Sequence, residues 1–203
     1  MAGQFEATPG GGAAVALDEV EISILRSLAV QLLELIGPGE TPADGDDPLA
    51  ALFAEGPSEP PSDPALARLF PDAYGGPGGP PEAGRPQEEL RELSAEFRRF
   101  TEQDLRSRKR EDALAVVRTL DALTPVGDGG AVLTLSGEAC RSWLGALNDL
   151  RLTIGTRLEV SDEDEAEEGS LYRLPDSDPR KPMVMAYLWL GALQESLVET
   201  LMP

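Results

Sequence analysis

Apolar side chains recur at three- and four-residue intervals through most of this chain, the spacing of one face of an α-helix. Ile22, Leu25, Leu28, Ala29, Leu32, Leu35 and Ile36 carry the first such stripe. Asp18 precedes it as an N-cap, Glu21 stands three residues on in a capping-box arrangement, and Gly37-Pro38-Gly39 ends it. Ahead of the cap lies a short apolar piece, Ala14-Val15-Ala16-Leu17. Two short helices are expected where an Asp-Pro pair supplies a cap and a first-turn proline. Asp47-Pro48 precedes Leu49-Ala50-Ala51-Leu52-Phe53, and Asp63-Pro64 precedes Ala65 to Phe70, with Pro71 as the stop.

From Gln87 to Leu123 two stripes follow each other: Leu90, Leu93, Phe97 and Phe100, then Leu105, Leu114, Val117, Leu120 and Leu123. Thr101-Glu102-Gln103-Asp104 between them resembles a capping box, with Phe100 and Leu105 placed as a hydrophobic staple. The pattern predicts two helices that meet near Thr101. Gly127-Asp128-Gly129-Gly130 reads as a turn and Ala131 to Leu135 as a strand. Ser136 then caps a helix whose core face is Cys140, Trp143, Leu147, Leu150, Ile154 and Leu158, with Leu144 and Leu152 on a second apolar edge. Gly155 falls inside this helix, where it would let a neighbouring helix approach closely. The last helix starts at Asp178-Pro179 and runs through Met183, Tyr187, Leu188, Leu190, Leu193, Leu197, Val198 and Leu201.

One offset aligns Leu17-Asp18 with Leu135-Ser136, Ile22 with Cys140, Leu25 with Trp143, Leu32 with Leu150 and Ile36 with Ile154. Any strand, cap and helix in series would look similar. The sharper reading pairs the two strands as a ribbon and packs the two helices as pseudo-equivalents in one core. The expected fold is therefore all-α, mainly a helical bundle, a single helical domain over 1–203 with a minor two-stranded β ribbon. Proline- and glycine-rich or acidic stretches mark long disordered linkers at about 38–62, 75–86 and 161–177. The helices at 137–158 and 179–202 are expected to clasp each other at its centre.

Charge and chemistry narrow the function. Lys and Arg total 17 against 37 Asp and Glu, a formal charge of −20. Such a field repels nucleic acid and anionic membrane and favours basic protein partners. The N-terminus lacks the basic and apolar regions of a secretory signal, and no run reaches the roughly 20 apolar residues that span a bilayer. Cys140 is the sole cysteine, which fits a reducing compartment, and the expected location is the cytoplasm. No disulfide can close within one such chain; only an intermolecular or mixed disulfide is open to it.

Histidine is absent. No Ser-His-Asp or Cys-His triad and no HExxH zinc site can be assembled, so no catalytic residue, metal site or cofactor is expected. The acidic run 162–168 lacks the glycine and ligand spacing of a calcium loop and reads as solvated charge. The tract Gly75 to Pro81 reads as linker, because prolines remove the donors a phosphate cradle needs. Arg106, Arg108, Lys109 and Arg110, with Arg98 and Arg99 upstream, form the one basic island. It is either a solvated helix face paired with Glu102, Asp104, Glu111 and Asp112, or an anion or nucleic-acid contact. Asn148, Asp149 and Arg151 lie among core leucines and need partners; Gln194 and Glu195 are expected to complete a polar clamp with them. Cys140 is the candidate redox residue, its default being a buried, inert thiol.

Three segments together resemble a known family: Asp63 to Tyr74; Trp143 with Ala146-Leu147-Asn148-Asp149-Leu150-Arg151-Leu152 and Gly155; and Tyr187-Leu188-Trp189-Leu190 with Leu193 to Val198. They are similar to the actinobacterial domain-of-unknown-function family of AosR-type oxidative-stress regulators. The resemblance implies a cytoplasmic transcriptional regulator that responds to oxidants, acts with an alternative sigma factor, and affects cysteine and low-molecular-weight thiol metabolism. The function expected is non-enzymatic regulation through a protein partner, a sigma factor or RNA polymerase component. The alternatives are direct DNA binding through Arg106–Arg110 and a general interaction adaptor.

Overall fold

The computed structural model describes residues 3–38, 56–76, 85–124, 129–160 and 173–202. The helix expected after Asp47, most of the Gly-Pro tract, Gly127-Asp128 and the acidic run lie outside them. Among the described residues the order is β1 (Glu6–Ala7), β2 (Ala13–Leu17), α1 (Glu19–Ile36), α2 (Pro64–Leu69), α3 (Gln87–Asp121), β3 (Ala131–Leu135), α4 (Gly137–Arg157) and α5 (Lys181–Leu201). The chain is mostly helical, with a small sheet on one side.

The sheet has three antiparallel strands in the order β1-β2-β3, one more than the two-stranded ribbon expected. The additional strand is two exposed residues long and carries no alternation that a sequence could show. In the β2–β3 ladder Ala13 faces Leu135, Val15 faces Leu133 and Leu17 faces Ala131. All six side chains are buried, so one sheet face seals the core. A tight turn joins β1 to β2, with Gly11 at φ 78° and Thr8 N–H bonded to Gly12 O. Gly12 must be glycine, since a Cβ there would stand 2.0 Å from the Leu135 carbonyl oxygen. The N-terminal arm is tied down by Phe5, whose N–H donates to Ser196 Oγ and whose ring meets Trp143 edge-on.

β2 and β3 each lead through a cap into a helix. Asp18 accepts from Glu21 N–H while Glu21 accepts from Asp18 N–H, a complete capping box. Ser136 accepts from Ala139 N–H. Leu25, Ala29, Leu32 and Ile36 are the buried stripe of α1. Trp143, Leu147, Leu150 and Ile154, at the same offset as the strand residues, are buried on α4. Gly37 ends α1 at φ 82° with its N–H on Leu33 O. Asp63 caps α2 by accepting from Ala65 and Leu66 N–H.

α4 is the central element and touches each of the other four described helices. Its neighbours approach where side chains vanish. A Cβ on Gly145 would lie 2.6 Å from Asp112 of α3, and one on Gly155 would lie 3.2 Å from the Tyr187 ring of α5. The segment before α2 is anchored too, by Gly56 N–H on Arg99 O.

Two boundaries differ from expectation. α3 runs unbroken from Gln87 to Asp121, with no second start at Thr101. Thr101 Oγ1 donates back to Phe97 O, the habit of a helix-interior threonine rather than an N-cap. Phe100, the supposed staple, is 66% exposed. α5 begins at Lys181 instead of Pro179, because Asp178 spends its carboxylate on Arg180 N–H in a turn ahead of the helix.

Candidate functional site

Most of the basic island is bonded into the fold. Arg106 donates to the Ile36 carbonyl, and Arg110 to the Gly37 and Leu33 carbonyls. The Ile36 and Gly37 carbonyls have no partner within α1, whereas Leu33 O already accepts the Gly37 N–H. α1 has no basic residue in its own last turn, so α3 supplies the cations that its negative end favours. Arg106 also lies 4.5 Å above the Phe70 ring. Lys109 donates to Asp149 at 2.6 Å across the α3–α4 seam. Arg108 alone of the four named cations is fully on the surface.

Beneath the island runs an ionic chain. Arg98 is buried and donates to the Phe70 carbonyl, to Asp72 and to Glu102. Glu102, 4% exposed, receives Arg106 on its other oxygen. Asp72, Arg98, Glu102, Arg106 and the Ile36 carbonyl thus form one line that ties α2 and α1 to α3. Arg98, Glu102 and Arg106 stand at i, i+4 and i+8, a signal that was legible as a single helix face.

The α3–α4 seam holds two carboxyls. Burial is the main cause raising the Asp149 pKa, the Lys109 bond pulls it back, and nearby Asp112 raises it further. Burial likewise raises Asp112, against a hydrogen bond from Ser142. Asp149 is 2% exposed, so no substrate reaches it. This pair closes an interface. Trp143 Nε1 donates to Thr119 Oγ1 in the same seam.

The polar residues of α4 therefore face two ways. Asp149 looks to α3 and not to α5. On the opposite side Arg151 donates to Gln194 Oε1 at 2.6 Å, and Gln194 Nε2 reaches Asn148 Oδ1 at 3.5 Å. Arg151 lies 5.2 Å from the Tyr187 ring centre and flat against Gly191. Glu195 is exposed and has no hydrogen bond or ion pair among the described residues, so it does not join this contact. Arg151, Leu188, Gly191, Gln194, Glu195 and Val198 line a shallow, open groove.

Cys140 is fully buried under β2, where the Ala13 backbone hydrogen-bonds to its sulfur. Burial is the main cause raising its pKa, which keeps it a thiol and away from the reactive thiolate. Among the described residues no helix is long and apolar enough to cross a membrane.

The likeness to known proteins extends along nearly the whole chain. It is 32% identical over 184 residues to an AosR protein of Mycobacterium leprae (strain TN), covering 90% of this chain and 79% of that protein. It is 29% identical, over 90% of this chain and 78% of theirs, to proteins of Mycobacterium bovis (strain ATCC BAA-935 / AF2122/97) and Mycobacterium tuberculosis (strain ATCC 25618 / H37Rv), each named Oxidative stress regulator AosR. No solved structure matches. The profile of the domain of unknown function DUF2017 matches residues 2–201, and the chain belongs to that family.

Proposed function

We propose that this protein is a non-enzymatic regulator of the oxidative-stress response that works in the cytoplasm through a protein partner of the transcription machinery, such as a sigma factor or an RNA polymerase component. The regulatory part of this reading rests on what the mycobacterial relatives are named. The choice of a protein partner over DNA is carried by one observation. Arg106, Lys109 and Arg110 are bonded to Ile36 O, Asp149 and Gly37 O, so they are not free to pair with phosphates. A chain of net charge −20 with its best cations engaged is poorly suited to grip a duplex unaided.

Affinity purification of the tagged chain from oxidant-treated cells tests the reading. Recovery of a sigma factor or polymerase subunit is the expected result, and recovery of neither counts against it. A mobility shift of promoter DNA that fades steeply with salt would instead restore the DNA-binding alternative.

A further inference from the structure

The groove beside α5 combines apolar and acidic features that nothing in the fold uses. Leu188 is 41% exposed and Val198 37%, and Gly191 and Ala192 between them add little bulk. Glu195 and Glu199 stand exposed on the same helix face, about two and three turns beyond Leu188, and neither side chain has a hydrogen bond or ion pair among the described residues. The last turn of α5 contains no basic residue, so its carbonyl end adds negative potential beside Glu199. The floor is already set, because Arg151 is held by Gln194 and Tyr187 and has little freedom left to lose on binding.

Resting on the regulatory reading above, we propose that this groove seats an amphipathic helix from a basic protein partner. Apolar side chains at helical spacing fill the trough over Leu188, Ala192 and Val198, while lysine or arginine side chains meet Glu195 and Glu199. A helix is the fitting shape, since the trough follows the axis of α5 and is open at the surface. A partner protein suits it better than a second copy, because each copy brings its own charge of −20 to the contact.

The probe is a fluorescent helical peptide of leucine and lysine, with a leucine and glutamate twin, titrated by anisotropy against the full chain. The lysine peptide should bind and the glutamate twin should not. Leu188→Asp should weaken binding at least ~10-fold, and the double variant Glu195→Lys with Glu199→Lys several-fold. Phe100→Asp, on the exposed side of α3, should leave it unchanged. Circular dichroism confirms folding, and the charge-reversal pair tests the groove without touching an apolar residue. Equal binding by wild type and Leu188→Asp, or an equal loss in Phe100→Asp, overturns the proposal. So does a wild-type dimer in sedimentation that Leu188→Asp dissolves, which assigns the face to a second copy. In cells the two readings separate. A deletion that leaves oxidant-induced transcription unchanged sinks the regulatory reading, whereas full complementation of a defective deletion by Leu188→Asp sinks the groove alone.

Discussion

Lys109 Nζ and Asp149 Oδ1 lie 2.6 Å apart across the α3–α4 seam, with the carboxylate almost sealed from water. Each charge is tolerable there only because of the other, so removal of one strands its partner. Lys109→Met should therefore cost about 3–5 kcal/mol in urea unfolding at neutral pH. A loss under about 1 kcal/mol would mean that the two groups do not pair in solution.

The same carboxyl makes a pH prediction with a definite sign. Burial raises the Asp149 pKa above its reference of 3.8, so the folded state holds that proton more tightly than the unfolded chain. Its contribution to stability is complete below 3.8 and disappears as pH rises through the folded pKa. Asp149→Asn removes this dependence. Wild-type stability measured relative to Asp149→Asn should fall as pH rises from 3.8 through the higher folded-state pKa of Asp149. A flat difference would show that Asp149 titrates alike in both states.

Continuity of α3 through Thr101 is open to a direct test. Proline at an interior helix position removes a hydrogen bond and clashes with the preceding turn, whereas proline at a helix start is tolerated. Thr101→Pro should cost about 3 kcal/mol or more. Phe100→Ser, on the solvent side, should stay within about 0.5 kcal/mol. Two helices joined by a staple would give a small proline effect and a larger loss at Phe100.

Where local chemistry alone decides a feature, the sequence showed it. The Asp18–Glu21 box, the Asp63 cap and the buried stripes of α1 and α4 needed no knowledge of neighbours. Val15 opposite Leu133 even realises the internal correspondence, since the offset that relates those two also relates Leu25 to Trp143. What stayed hidden depended on partners from elsewhere in the chain. Glu102 reads equally well as a cap residue or as an interior carboxylate, and only the Phe70 carbonyl and Asp72 arriving beside Arg98 make the second true. Helical spacing could have separated Asn148 and Arg151 from Asp149, since they stand about 100° and about 160° from it around the helix axis. It could not say that α3 lies on the Asp149 side.

The basic island should divide by role under substitution. Arg110→Ala removes a charged donor from the carbonyls that end α1 and should cost about 1–3 kcal/mol. Arg108→Ala leaves a solvated site and should stay within about 0.5 kcal/mol. Thermal or urea unfolding distinguishes the two. Equal and negligible losses would free these arginines from the fold and return them to the surface as candidates for phosphate contact.

Cys140 sets the terms for any thiol-based response. An oxidant needs the thiolate and a path to it, and the buried sulfur under Ala13 offers neither in the closed state. Labelling of the native protein must then wait for β2 to lift or for the whole fold to open. The expected result is a native labelling rate at least ~1000-fold slower than in denaturant, with peroxide-treated protein still retaining a free thiol after unfolding. Prompt native labelling would show that β2 opens readily, making movement of the N-terminal arm the step that exposes Cys140. Slow labelling leaves oxidants to act on the partner, because a buried thiol cannot report them on the timescale of a transcriptional response.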